Sequence, residues 1–202
     1  MEEIKKLDTG FESSKSESTE SSLIASSSDG NDNGNDKEPK YSKETPCYYN
    51  CLAYIASKYG WECSPYDFAD DYNRGSMHRG WSGTGSDKEQ FEGPNARATD
   101  KDGNKIPNPE AYSYIENYFD TEGSGWVRGK SIGSLMTSEQ KGIVMGVITT
   151  PGSNMHAVIL KERAYGVYSY YDPTTGVSGQ LLAGSIAYAG KVTGLKEKEG
   201  SE

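Results

Sequence analysis

Side chains able to do covalent chemistry are few in this chain. It has three cysteines and two histidines in 202 residues. Two of the cysteines, Cys47 and Cys51, lie four residues apart in "TPCYYNCLAYIASKYG", residues 45–60. A thiol does chemistry only as a thiolate, so it needs a positive field or a base beside it. The first turn of a helix supplies such a field through its unpaired N–H groups and its dipole. Cys47 stands where a helix begins, and Cys51 stands one turn further in. Cys47 is therefore expected to be the nucleophile and Cys51 a small apolar core residue.

The base must be one of two histidines. His78, in "RGSMHRGW", sits in a Gly-rich stretch with no partner in sequence. His156 opens "HAVILKE", which reads as a strand, and Asp172 closes the next such run in "YYDPTTG". With Ala164 as the centre of the hairpin between them, His156 and Asp172 fall opposite one another with both side chains on one face. A carboxylate there would orient the imidazole, and the imidazole would take the proton of Cys47. Other uses of the same residues are a zinc site of Cys47, Cys51, Cys63 and a histidine, or buried core thiols. A disulfide between thiols one helical turn apart would be strained and is not expected. No cofactor and no metal are expected.

Several elements must hold these groups in place. Thr45 as N-cap and Pro46 at the first helical position start the Cys47 helix, and Gly60 stops it. Cys47, Cys51 and Ile55 stack on one face, which Leu52, Ala56 and Tyr59 widen into a stripe for a sheet. "SPYDFADDYN" predicts a second helix, with Ser64 as cap, Pro65 first and Asp67 completing a capping box. Residues 75–108 read as long loops, with "TDKDGNKIP" turning a hairpin in which Asp100, Asp102 and Asn104 could also touch a cation. Asn108 and Pro109 start a third helix that runs to about Phe119, and "SIGSLMTSEQKG" predicts a fourth, stopped by Gly142. From there "IVMGVIT", "HAVILKE" and "VYSYY" read as an antiparallel meander. Helices first and strands later indicate an α+β domain.

The chain carries a formal net charge of −9. That argues against nucleic acid or anionic membrane as a main partner. No apolar run is long enough to span a bilayer. The N-terminus lacks the apolar core of a secretory signal, so a cytoplasmic protein, or one exported by another route, is expected. Residues 1–44 hold eleven acidic residues against six lysines, with much serine and little apolar surface. They are expected to form a disordered acidic tail, dispensable for catalysis. Within them "SSSDGNDNGND" faintly suggests a calcium loop but reads as a linker. The folded domain is expected at 45–195, with 196–202 frayed. The aromatic clusters "PYDFADDYN", "AYSYIENYF" and "AYGVYSYYD" are expected mainly in the core, with some side chains lining a cleft.

At these residues the sequence resembles the papain-like cysteine peptidases, most closely the bacteriocin-processing (double-glycine leader) peptidases and their stand-alone bacterial relatives. Cys47, Cys51, Leu52 and Ala53, followed by Tyr59 and Gly60, match that family's nucleophile helix. His156, Ala157, Val158, Ile159 and Leu160 match its histidine strand. Asp172, Pro173 and Gly176 match its Asp-Pro-x-x-Gly turn. The match spans about forty residues. The resemblance implies a papain-like fold, with the Cys47 helix packed on an antiparallel sheet, and a Cys47–His156–Asp172 triad. It implies cleavage of a peptide or amide bond in a polypeptide or peptidoglycan-type substrate. Three positions depart from the pattern. Tyr48 replaces the glycine after the nucleophile, Pro46 the aspartate before it, and Tyr41 the oxyanion-hole glutamine. A peptidoglycan amidase, a deamidase toxin, or a non-catalytic binding module on the same scaffold are the alternative readings.

Overall fold

A computed structural model of the chain describes residues 38–41, 43, 45–74, 93–151 and 154–197. The expected linker at 26–36, His78 and most of the acidic tail lie outside these residues. The fold is α+β, with an N-terminal helix packed on an antiparallel sheet.

Helix α1, Cys47–Lys58, starts with Pro46 as its cap residue, so the expected Thr45 cap is displaced by one. Pro46 presents its carbonyl to the N–H groups of Tyr49 and Asn50 at 3.0 and 3.2 Å. Its fixed φ of −52° suits that corner. The far end closes as expected. Gly60 takes φ +81°, and the N–H groups of Gly60 and Trp61 return to the carbonyls of Ser57 and Ala56. The expected one-sided stripe is replaced by burial all round, since every residue from Tyr48 to Ala56 is buried. The second contact face belongs to α2, Pro65–Arg74, and α3, Pro109–Tyr118. Tyr49 packs edge-on against Tyr72 of α2, and Tyr48 packs at a tilt against Tyr114 of α3 and donates to the carbonyl of Ala111.

Both capping readings hold. Ser64 N donates to Asp67 Oδ2 at 2.7 Å and Asp67 N to Ser64 Oγ at 3.3 Å at the start of α2. Asn108 Oδ1 accepts from Glu110 N at the start of α3. Between them lies the expected hairpin, β1 (Arg97–Thr99) with β2 (Lys105–Pro107). The Asp100 carboxylate is engaged inside its turn, accepting from the N–H groups of Asp102 and Asn104.

The main sheet has six strands in the order β3-β8-β4-β5-β6-β7. Strands β4 (Ile143–Thr149), β5 (Met155–Ala164), β6 (Val167–Asp172) and β7 (Val177–Leu182) form the meander. A 3₁₀ turn, Ala183–Ser185, then sends β8 (Ile186–Leu195) back to the far side of β4. The edge strand β3, Phe119–Val127, follows α3 directly and pairs with β8. Helix α4, Lys130–Thr137, ends at Ser138 rather than at Gly142.

The sheet has a core on each face. Met145, Ala157, Ile159, Tyr171 and Val192 meet α1, α2 and α3, whereas Val144, Ile148, Val158, Leu160 and Tyr168 meet α4. Several buried phenols of this core end on carbonyls or carboxylates. Tyr114, for example, donates to Phe68 O and Asp71 Oδ2.

Residues 38–41 belong with the folded part. Tyr41 N donates to Pro173 O at 2.7 Å, and Tyr171 Oη donates to Pro39 O at 2.9 Å. The packed part of the chain therefore includes residues before Thr45.

Candidate active site

The β5–β6 hairpin sets the geometry of the site. Its tip is a two-residue turn, Tyr165 and Gly166, both at positive φ (51° and 80°), the conformation that suits the twist of paired strands. Near the tip Ala164 faces Val167 and Arg163 faces Tyr168. Beyond it the register shifts, and Leu160 faces Tyr170. The extra residue is Lys161, a β-bulge. Continued from Ile159↔Tyr171, the ladder sets Val158 beside Asp172. His156 and Asp172 are thus diagonal neighbours offset by two residues, not the directly opposed pair expected from a centre at Ala164. The even offset keeps both side chains on one face. Without the bulge the offset would be odd and the two would project to opposite faces.

The structure brings the three expected residues together. His156 Nε2 lies 3.0 Å from Asp172 Oδ2. That leaves Nδ1 for the sulfur of Cys47, with which the ring is hydrogen-bonded. β6 ends at Asp172, short of the row of Ala157, and Ala157 N donates to Cys47 Sγ at 3.3 Å. The sulfur sits in the first turn of α1, where the N–H of Cys47 itself has no intrahelical acceptor.

Each group responds electrostatically to the others. Burial pushes the Cys47 thiol up, but the hydrogen bond with His156, the charge of that ring and the Ala157 N–H outweigh it, and the thiol ends below its ordinary value. The hydrogen bonds of His156 to Asp172 and to Cys47 raise the imidazole to about 10, against its burial. Burial also pushes Asp172 up, yet the bonds from His156 and Thr175 hold it below the usual carboxylate value. The arrangement favours a thiolate–imidazolium pair beside a carboxylate. Cys51 is the contrast: it is fully buried, and burial drives its thiol well above the ordinary value.

Asp172 is held by its own turn. Thr174 N donates to Oδ1 at 2.9 Å and Thr175 Oγ1 to Oδ2 at 2.7 Å. Gly176, at φ +74°, closes the turn onto Asp172 O. Asn50 ties this turn to α1: its Nδ2 donates to Thr174 Oγ1 at 3.0 Å and to Thr45 O at 3.3 Å. Asn50 is fully buried, and its role follows from the fold: an asparagine in the first turn of a helix carries no sequence signal that sets it apart from a surface amide. Thr174 and Thr175, turn residues by sequence, thus hold the carboxylate as well.

A cleft of about 270 Å³ opens beside the pair, lined by Pro46, Cys47, His156, Trp126, Tyr188 and Asn95 among others. The Tyr112, Trp126 and Tyr188 rings form an edge-to-face row, with centroids 5.1 and 5.3 Å apart. Gly93 lies against Pro46, where an added Cβ would come within 3.0 Å of the proline ring. Tyr41, the position expected to carry an oxyanion-hole glutamine, is used elsewhere: its backbone holds Pro173 and its phenol meets Ser57, toward the other end of α1.

Of the alternative uses of the cysteines, Cys51 takes the buried core place, and the zinc site is not assembled among the described residues. All three thiols are free. Cys63 lines a separate open groove with Tyr41, Ser57 and Asp67. Among the described residues no group of three or more His, Cys, Asp and Glu side chains is placed to hold a metal ion. Among them, too, no helix is long and apolar enough to cross a membrane. No family model matches the chain, and neither does any curated protein.

Proposed function

We propose that the chain is a cysteine peptidase-like hydrolase of papain-like layout, cleaving a peptide or amide bond with Cys47, His156 and Asp172. The observation that carries this reading is the single hydrogen-bonded row of thiol, imidazole and carboxylate at the mouth of a cleft. In the proposed cycle the Cys47 thiolate attacks the carbonyl carbon. The oxyanion that forms is met by the Cys47 N–H and by a second donor, for which the exposed amide of Asn95 in the cleft is the candidate. His156 gives its Nδ1 proton to the leaving amine as the C–N bond breaks, leaving a thioester on Cys47. Nδ1 then takes a proton from water, the hydroxide adds to the thioester carbon, and the acid departs as the thiolate re-forms its pair with His156. Asp172 holds the ring in the tautomer and orientation that both halves need.

The apolar, aromatic wall of the cleft suits a polypeptide or another amide with a carbon-rich flank. The same layout serves an amidase or a deamidase, which differ in the loops around the cleft. The placement of Tyr41 away from the sulfur favours one second reading, a binding module that kept the fold without a full oxyanion hole. Iodoacetamide labelling of the full chain followed by peptide mapping tests the main reading. Selective labelling of Cys47, together with turnover of a peptide library, is the expected result. Equal, slow labelling of all three thiols would remove it.

A further inference from the structure

Residues 38–41 grip the chain on both sides of Asp172. Tyr171, the residue before it, donates its hydroxyl to Pro39 O at 2.9 Å. Pro173, the residue after it, accepts from Tyr41 N at 2.7 Å. Lys40 lies along Gly176, where an added Cβ would sit 2.8 Å from the lysine Cδ. The carboxylate of Glu38 fixes the other side. Its Oε1 accepts from Lys161 Nζ at 2.9 Å, and its Oε2 lies 2.7 Å from Lys58 Nζ. Lys161 is the bulge residue of β5, and its ammonium also bonds the Tyr54 hydroxyl and lies over the rings of Tyr54 and Tyr171, 4.8 and 5.8 Å from their centroids. One short segment therefore contacts the bulge that sets the His156–Asp172 offset and the two residues that flank the carboxylate.

We propose that residues 38–41 are a clasp that positions the catalytic pair, with Glu38 and Tyr171 as positioning residues that act on Cys47 through Lys161, Asp172 and His156. The proposal rests on the hydrolase reading above. Residues 38–41, Lys161 and Tyr171 do not line the cleft beside Cys47. Their effect on the sulfur passes through the backbone of residues 171–173 and the bulge. When the clasp is released, Asp172 and His156 lose their fixed alignment, the imidazolium is less well stabilised, and the thiolate loses its counter-charge. The N-terminal stretch and the chemistry are coupled: whatever draws residues 38–41 off the turn lowers the reactivity of Cys47.

The test is the pH profile of Cys47 alkylation by iodoacetamide in the full chain, with Cys47 resolved from the other thiols by peptide mapping. The double variant Glu38→Gln, Tyr171→Phe keeps every ring and the length of the chain but removes the charge and the hydroxyl. Tyr41→Pro attacks the same clasp independently by removing the N–H given to Pro173. Glu122→Gln is the control. It loosens a comparable carboxylate–lysine pair, 2.9 Å to Lys191, at the opposite end of the sheet. The expected result is a higher alkylation midpoint in both clasp variants, seen as a roughly threefold or greater fall in rate at neutral pH, with the control unchanged. A depressed wild-type midpoint that both clasp variants share would overturn the clasp and leave the hydrolase reading standing. An equal rise in the control would overturn it as well, since the effect would then be general loosening. A wild-type midpoint that is not depressed would overturn the hydrolase reading and the clasp with it.

Discussion

His156 and Asp172 lie diagonally across neighbouring strands, joined Nε2 to Oδ2 at 3.0 Å, because Lys161 stands out of the ladder as a bulge and takes no paired position between His156 and the turn. Deleting Lys161 removes the unpaired residue and leaves Leu160 opposite Tyr170 and Val158 beside Asp172, so the offset stays even. The deletion variant is expected to keep the His156–Asp172 contact, losing only what the lysine side chain itself contributes. Ring NMR of His156 checks this: loss of a strongly raised imidazole titration in the deletion variant counts against the register as the cause.

The two thiols of α1 are expected to behave oppositely. Cys47 should alkylate with a midpoint below that of an ordinary thiol, and Cys51 should stay unreactive in the native state. Cys47→Ala should lower turnover on the order of 10³-fold or more at little cost in stability. Cys51→Ser should leave chemistry possible but cost on the order of 1–3 kcal/mol, because it sets a hydroxyl in a fully buried site. Mass-resolved alkylation and chemical denaturation measure both. A fast Cys51 would shift the nucleophile by one helical turn.

The rate should follow a bell in pH. Its acid limb is the ionisation of Cys47, and its alkaline limb is loss of the His156 proton near 10. Because the folded value of His156 is raised, its charge contributes stability that is complete below the ordinary 6.5 and is lost as pH rises through about 10. Asp172→Asn should bring the alkaline limb down toward 6.5 and cut turnover by about 10²–10⁴-fold while leaving the fold in place. An alkaline limb that does not move in Asp172→Asn would separate the carboxylate from the imidazole.

Asn50→Ala removes the amide that joins α1 to the Thr174 turn. It is expected to destabilise the fold by roughly 1–3 kcal/mol and to lower turnover by freeing the Asp172 turn from the nucleophile helix. Thermal denaturation and steady-state rates are the measurements. A loss of stability with unchanged rate would mean that Asn50 serves the core alone.

Asn95→Ala tests the second oxyanion donor. The expected effect is a fall in kcat with KM little changed, as a donor that bonds only the developing oxyanion requires. A change confined to KM would place Asn95 in substrate binding instead.

Much of the site was legible because the elements around it carry strong local signals. Gly60, the Ser64–Asp67 box and Asn108 each mark a helix end through backbone chemistry that tertiary packing did not override. Thr45 failed as a cap because Pro46 turned the corner with its own carbonyl. The one-sided stripe on α1 failed because α2 and α3 cover the faces the sheet leaves, and tyrosine suits such a site as well as it suits a surface. Strand β3 was hidden by Gly123, Gly125 and two acidic residues; what makes it a strand is its pairing with β8, more than sixty residues away in sequence. The clasp was hidden in a stretch whose composition reads as tail. Glu38 is ordered by two lysines and a phenol brought together only in the fold, and its carboxylate is lowered to about 2 as burial is outweighed by those bonds.

The bulge at Lys161 also bears on how such sites are found in other chains. β5 is held by β4, and β6 by β7, independently of the Tyr165–Gly166 tip. Residues added at the tip would lengthen the interval between His156 and Asp172 without moving either side chain. A single residue gained or lost between His156 and Leu160, or between Tyr170 and Asp172, would dismantle the pair at nearly the same interval. A search pattern written as a fixed histidine-to-aspartate distance would therefore reject working relatives and accept broken ones. The quantity that evolution must hold is whether the count of residues on the two rails of the ladder is odd or even.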